Sequence, residues 1–422
     1  MLVYVLSKDG KPLMPCKAAK ARKLLKQGRA KVVKRTPFTI QLAYAAGETK
    51  QPVSLGVDTG YKHVGLSAVS DSKELFCSEV ELRTDISKLL SEKRQYRRTR
   101  RNRLWYRKAR FLNRVKSKKA GWLAPSVEHR LNEHIKAINF VKSILPVTEI
   151  TVEAAAFDIQ RIKNPDISGI DYQNGEQKDF WNVREYVLYR DGHKCQYCGK
   201  SNTVLNVHHI IPRTDGGTDR PDNLITLCET CHKAYHKGLL ELKIKKHKAF
   251  KAETIMSILR WKIVNKLRDL GNIVNITYGY LTKSARITLK LHKSHANDAF
   301  CIAGGDRRER TDNSYFTKYV RKCNRSLFKA NLLKGGKRKV NTVKQAFGFH
   351  RFDKVLFGKV ECFIYGLRTR GYFLLSDIKG NKIAETSYKN ITLLEKAKAI
   401  LISLTKTEDA IPLTAKAASP LA

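Results

Sequence analysis

Short apolar runs bounded by Gly and Pro divide this chain into strands, and a few longer periodic runs predict helices. Strands are expected at the opening Met1 to Leu6, at Ala30 to Val33, at Phe38 to Tyr44, at His63 to Val69 and at Glu74 to Leu82. Val53 to Asp58 and Glu149 to Glu153 are compact apolar strands that each end in an acid, and Gly271 to Tyr280 is a further β-rich run. A basic helix is expected over Lys17 to Gln27, stopped by Gly28. A second covers Lys93 to Arg114, where Leu104, Phe111 and Val115 share one face, and a third covers Ser294 to Ala303 with an acid on its polar side. Pro12-Leu13-Met14-Pro15 reads as a rigid link after the Gly10 turn. Val355 to Tyr388 holds β-rich stretches with Gly turns, and the chain from about Thr405 onward has the polar, small-residue character of a disordered tail. The N-terminus lacks a signal-peptide pattern and no apolar run is long enough to span a bilayer, so a cytoplasmic location is expected.

Charge narrows the function. Lys and Arg total 82 against 38 Asp and Glu, a formal net charge of +44 over 422 residues. Self-repulsion of that size calls for a polyanionic partner, and nucleic acid is the default. The helix from Lys93 to Arg114 concentrates the charge in Arg94, Arg97, Arg98, Arg100, Arg101, Arg103, Arg107, Arg110 and Arg114, with no acid, Gly or Pro. Interleaved Trp105, Tyr106 and Phe111 set it apart from a solvated basic tail, and guanidinium groups suit phosphate and base stacking. Nine cysteines, five of them scattered singly, fit a reducing compartment rather than a disulfide scaffold.

Candidate chemistry lies in two places. Cys195-x-x-Cys198 and Cys228-x-x-Cys231 have the spacing of a four-thiolate structural zinc site. Around that frame lie His208-His209, Asn223, His232 and His236, which a plain zinc knuckle does not need and which are the parts of an HNH nuclease. By that resemblance His209 is the general base, Asn223 orients its imidazole, and His208 and His232 hold a catalytic magnesium. His236, one helical turn on, is a weaker candidate third ligand. Outside this block Asp58 and Glu153 end strands, and His295-x-x-Asp298 lies on a helix. Acids so placed can converge on two magnesium ions that clamp an in-line phosphoryl displacement. This order resembles the RuvC and ribonuclease-H family, which implies Asp58, Glu153 and Asp298 as ligands and His295 as ligand or base. An actin-like nucleotide-binding fold shares the first strand signature, but nothing resembling a phosphate-binding loop accompanies it.

In this order, Pro12 to Pro15, Asp58, the arginine helix, Glu153, the inserted HNH block and His295/Asp298 resemble the IscB family of insertion-sequence-encoded, RNA-guided DNA endonucleases. The expected fold class is mixed α/β and α+β: an RNase H-like RuvC core split by a ββα-metal HNH module, with a small basic N-terminal α+β module and a C-terminal β-rich domain. The expected divisions are 1–52, 53–92 (RuvC I), 93–120 (arginine helix), 121–174 (RuvC II), 175–240 (HNH), 241–306 (RuvC III) and 307–422. The resemblance implies a guide RNA, a double-stranded DNA target with a short adjacent motif read by the C-terminal domain, and a monomeric ribonucleoprotein. It also implies that HNH cuts the guide-paired strand and RuvC the displaced one. Two other readings are a homing-type nuclease that needs no RNA and an RNA-binding scaffold with inactive sites.

Overall fold

The computed structural model describes residues 2–102, 121–154, 177, 180–242, 251–321, 343 and 345–406, apart from positions 48, 216, 218, 307 and 398. Arg103, Arg107, Arg110 and Arg114, with the aromatics between them, lie outside the described residues, as do Cys323 and positions 407–422.

The chain starts with strands β1 (Leu2–Leu6) and β2 (Pro12–Lys17), helix α1 (Ala18–Lys26), and strands β3 (Ala30–Lys34) and β4 (Thr39–Leu42). They form a four-stranded sheet in the order β2-β1-β4-β3. The segment expected as a rigid link is the edge strand β2, where Pro12 and Pro15 lack an N–H that only an inner strand would need. Val3, Val5, Leu13, Leu24 and Ile40 close a small core under α1.

Next come β5 (Ser54–Thr59), β6 (His63–Val69) and β7 (Glu74–Glu81), an antiparallel meander, then α2 (Ile86–Asn102), α3 (Pro125–Lys142) and β8 (Glu149–Glu153). The described part of the arginine helix, α2, begins seven residues before Lys93 and carries Arg94, Arg97 and Arg98 exposed. A separate compact unit, Phe157–Thr254, holds α4 (Val183–Arg190), β9 (Leu205–His209), β10 (Leu224–Cys228) and α5 (Glu229–His236). After it follow α6 (Lys251–Asp269), β11 (Ile273–Thr277), α7 (Gly279–Thr288), α8 (His295–Ile302) and β12 (Asn313–Tyr319). The remaining strands are β13 (Gln345–Ala346), β14 (Phe349–His350), β15 (Lys354–Phe357), β16 (Val360–Leu367), β17 (Tyr372–Ser376), β18 (Lys382–Ser387), β19 (Ile391–Glu395) and β20 (Ile400–Lys406).

The main sheet has seven strands, ordered β11-β8-β5-β6-β7-β12-β20. β8 pairs parallel with both β5 and β11, which brings the acid-bearing ends of β5 and β8 to the same edge. Val57, Leu66, Val152, Ile138 and Leu259 are among the fully buried residues of the core. An expected division at residue 306 does not coincide with the limits of this sheet. β12 pairs parallel with β7 and β20 pairs antiparallel with β12, so two strands from beyond that point complete it. Thr405, expected in a tail, is part of β20. Five strands in the order β18-β17-β16-β15-β19 make a smaller sheet around Val355, Ile364 and Phe373.

α8 lies against the main sheet at an unusually short distance. A Cβ on Gly65 of β6 would sit 1.8 Å from the His295 carbonyl oxygen, and one on Gly56 of β5 would sit 2.1 Å from that of Ala299. Both neighbours are main chain, so neither can swing aside. Gly65→Ala is expected to destabilise the protein by about 1–3 kcal/mol through overpacking. Thermal denaturation checks this, and an unchanged melting transition would contradict the seating of α8 on β6.

Candidate active sites

In the Phe157–Thr254 unit, β9 and β10 pair antiparallel with His209 opposite Leu224 and His208 opposite Ile225. Strand alternation sends the two imidazoles to opposite faces. His208 is buried at 6% exposure, whereas His209 is partly exposed. α4 braces this hairpin: Arg190 donates to the carbonyls of Pro221 and Leu224, both at 2.8 Å, and the Asp191 carboxylate accepts from the Thr226 N–H at 2.9 Å.

α5 supplies the rest. Its N-cap is Cys228, whose Sγ accepts from the Cys231 N–H, and the helix then presents His232 and His236 one turn apart. Ring nitrogens of His208, His232 and His236 all lie within 4.8 Å of one another. His208 Nε2 is buried with no hydrogen-bond partner, a cost that a ligand in the cluster would remove. Burial, then the proximity of His232 and His236, lowers the His208 pKa to about 4. It is therefore neutral near pH 7, the form in which imidazole ligates metal. This donor set fits a divalent cation.

The four thiols of Cys195, Cys198, Cys228 and Cys231 also gather within 4.8 Å. Burial pushes the Cys231 thiol up. Cys195 is brought down to about 6, because backbone N–H groups outweigh the opposing effect of burial. All four ionise together only with a cation among them, and tetrahedral zinc suits such a set.

Asn223 and His209 have unexpected neighbours. The Asn223 carboxamide donates to the Ile211 carbonyl at 3.0 Å and accepts from its N–H at 2.9 Å, closing the loop that follows the histidine pair. The group bonded to the His209 ring is Asp219, whose Oδ1 accepts from Nε2 at 2.8 Å and from Arg213 at 2.7 Å. One of three acids in a glycine-containing loop, Asp219 gave no sequence signal for this contact.

The second constellation lies at the edge of the main sheet. Asp58 is the next-to-last residue of β5, Glu153 ends β8 and Asp298 stands on the first turn of α8. His295 Nδ1 lies 2.6 Å from Asp58 Oδ2, and its ring stacks on His63 with centroids 5.6 Å apart. That hydrogen bond is the main cause of the raised His295 pKa. Burial raises the Glu153 and Asp298 carboxyls, and Asp58 is the next cause for each, the mark of like charges crowded together.

Two arginines not singled out by the sequence attend these acids. Arg260 of α6, 6% exposed, donates to the Thr59 hydroxyl and carbonyl and approaches Glu153 Oε1 at 4.0 Å. Thr59 in turn donates to the Glu153 carbonyl at 3.0 Å. Arg286 of α7 places Nε 2.9 Å from Asp298 Oδ1, but neither atom gains an aligned hydrogen bond. Asp298, ion-paired with Arg286 and within electrostatic reach of Asp58 and Glu153, belongs to a set of hard oxygen donors that suits a cation such as magnesium. Among 82 Lys and Arg residues, nothing local marks these two.

Removal of zinc with a chelator, or Cys228→Ser, is expected to unfold the Phe157–Thr254 unit. The apparent metal-binding energy of such sites is about 10–16 kcal/mol. Metal analysis should find zinc bound to the intact chain, and a chelated chain with unchanged circular dichroism would contradict a structural role.

Comparison with known proteins assigns these parts. Residues 3–175 match the family described as RRXRR protein, and residues 195–238 match HNH endonuclease. The run Arg97-Arg98-Thr99-Arg100-Arg101 is itself such an RRXRR string. Anaredoxin of Nostoc sp. is 43% identical over 66 residues, which are 16% of this chain and 84% of that protein. The type IV methyl-directed restriction enzyme EcoKMcrA of Escherichia coli is 37% identical over 73 residues, 14% of this chain and 26% of the enzyme. A crystal structure of Streptococcus thermophilus Cas9 in complex with the AGAA PAM aligns over 49% of this chain and 30% of that one, at 17% identity and a TM-score of 0.34. The chain thus spans less than a third of the length of that restriction enzyme and of that Cas9. Among the described residues no helix is long and apolar enough to cross a membrane. The HNH module is that of a metal-dependent nuclease, and its position after an RRXRR region makes the chain an IscB-like protein.

Proposed function

We propose that this protein is an RNA-guided DNA endonuclease with two active sites. HNH would cut the guide-paired strand and a RuvC-type site the displaced one. The observation that carries the reading is the gathering of Asp58, Glu153 and Asp298 from three elements, outside an HNH module that has its own histidine cluster. The HNH unit lies in sequence between β8 and β11, neighbours in the main sheet, as expected for a RuvC core interrupted by an insertion.

In the HNH module, Asp219 accepts from Nε2 of His209 and so favours the tautomer whose Nδ1 is free to take a proton from water. Asn223 holds the Ile211 loop that carries this arrangement. His208, His232 and His236 would hold a divalent ion. In the RuvC-type site Asp58, Glu153 and Asp298 would hold magnesium, with His295 fixed by Asp58. Metal bound at each site stabilises charge on the phosphate and the leaving oxygen. Arg286 and Arg260 offset carboxylate repulsion around those acids.

Selectivity by base pairing suits a chain with a strong positive charge and no helix-turn-helix pattern. The arginine run would grip the guide RNA, and the β15–β19 sheet is the part assigned to reading a short duplex motif. A homing-type nuclease without RNA is the competing reading; site-specific cleavage by RNA-free protein would favour it.

His209→Ala is expected to slow cleavage of the guide-paired strand about 10²–10⁴-fold while the other strand is still cut. Asp58→Ala should give the complementary nickase. Strand-resolved cleavage of end-labelled duplex checks both, and double-strand breaks by either variant at the wild-type rate would refute its assignment. Neutralising Arg97, Arg98, Arg100 and Arg101 should flatten the log–log salt dependence of RNA binding by about 3, if each contacts one phosphate. An unchanged slope would return the run to solvated surface.

A further inference from the structure

α8 carries His295 and Asp298 to the acid cluster, yet its seat on the sheet is main chain against glycine at Gly56 and Gly65. Such a seat allows close approach but offers few side-chain ridges and grooves to fix the rotation of the helix about its axis. A few degrees of rotation would move Asp298 relative to Asp58.

A buried polar chain behind the helix supplies what the seat lacks. Asn297, 1% exposed, lies between the two site residues in sequence but points round the helix from them. Its Oδ1 accepts from Arg310 at 2.8 Å, and its Nδ2 donates to the His292 carbonyl at 3.0 Å. Arg310 Nε donates to Glu74 Oε2 at 2.7 Å, and the guanidinium lies 4.2 Å from the Phe300 ring centroid, so it touches α8 twice. Glu74 of β7 is fully buried and also accepts from the Ser67 hydroxyl of β6 at 2.5 Å and the Thr311 N–H at 3.2 Å. A planar fork held at both ends is a stiff link, and a fully satisfied buried network specifies one geometry.

We propose that Arg310 is a positioning residue for the RuvC-type site. By clamping Asn297 to Glu74 it sets the rotation of α8 and hence the place where His295 and Asp298 meet Asp58. Arg310 touches none of the three acids proposed as ligands and acts only through the helix. The inference rests on the acid cluster being a metal site, and the experiment separates the two claims.

The test is a Mn²⁺ titration of the full chain followed by electron paramagnetic resonance. A His208→Ala, His232→Ala background confines the ion to the acid cluster. Asp58→Ala in that background is the control; if Mn²⁺ still binds, the acid cluster is not the metal site and the underlying reading fails. With the control behaving, Arg310→Met combined with Glu74→Gln removes both charges and leaves neither buried alone. It is expected to fold, judged by its melting transition, and to bind Mn²⁺ about 10–100-fold more weakly, the usual effect of losing an outer-shell support. Arg310→Lys should recover part of that loss. Asn297→Ala keeps the Arg310–Glu74 pair and should reproduce the weakening, and it decides the question if the double variant does not fold. A folded variant of either kind with wild-type Mn²⁺ affinity would overturn the proposal.

Discussion

Crowding of negative charge at the end of β5 is the constraint on which the main sheet and its helices turn. Burial, and after it the nearby Asp58, raises the proton affinity of Glu153 and of Asp298, and a fold that left such acids unattended would protonate them or push them apart. Each acid instead has a basic neighbour drawn from a different element: His295 for Asp58, Arg260 for Glu153 and Arg286 for Asp298. The glycines in β5 and β6 belong to the same solution, because they let α8 descend far enough to bring its acid to the strand ends. Thr59 links the ends of β5 and β8 directly, so the two strand acids do not depend on the helices alone for their spacing.

The HNH module meets a similar problem with different chemistry. It has little apolar core of its own, and four sulfurs stand where a larger domain would have packed side chains. Cys228 serves twice, as a member of the thiol cluster and as the cap from which α5 starts. Positioning of His232 and His236 therefore follows from the same residue that belongs to the thiol cluster. The thiol cluster and the histidine cluster of this unit share a helix, so a change that shifts one shifts the other.

Much of this could be read from the sequence. Strand-ending acids, the paired Cys-x-x-Cys elements and the His pair are short-range patterns whose physical meaning is local. Asp58, Glu153 and Asp298 stood out as a set, two acids closing apolar strands and a His-x-x-Asp on a helix in that order, since each acid alone carries little information. The partners of those residues were not legible. Arg260 and Arg310 reach Thr59 and Glu74 from far along the chain, Arg286 meets Asp298 only through the turn between two helices, and in so basic a protein one more arginine carries no information. Asp219 was missed because its contact with His209 is made across a loop whose turn the sequence does not specify. The role of β12 and β20 was hidden for a related reason: pairing between strands so distant in the chain leaves no periodic trace.

The smaller five-stranded sheet enters and leaves through two adjacent strands of the main one. β12 precedes it, β20 follows it, and the pair zips together over seven residues from Asn313 opposite Lys406 to Tyr319 opposite Ile400. Topologically it is a bulb on a stem rather than an appendage on a string. A cut at residue 306 would strip the sheet of two strands and uncover the flank of β7, an invitation to aggregation. Exchange of this bulb between related chains, in a laboratory or in evolution, therefore has natural joints at Tyr319 and Ile400, where both ends of a graft would meet side by side.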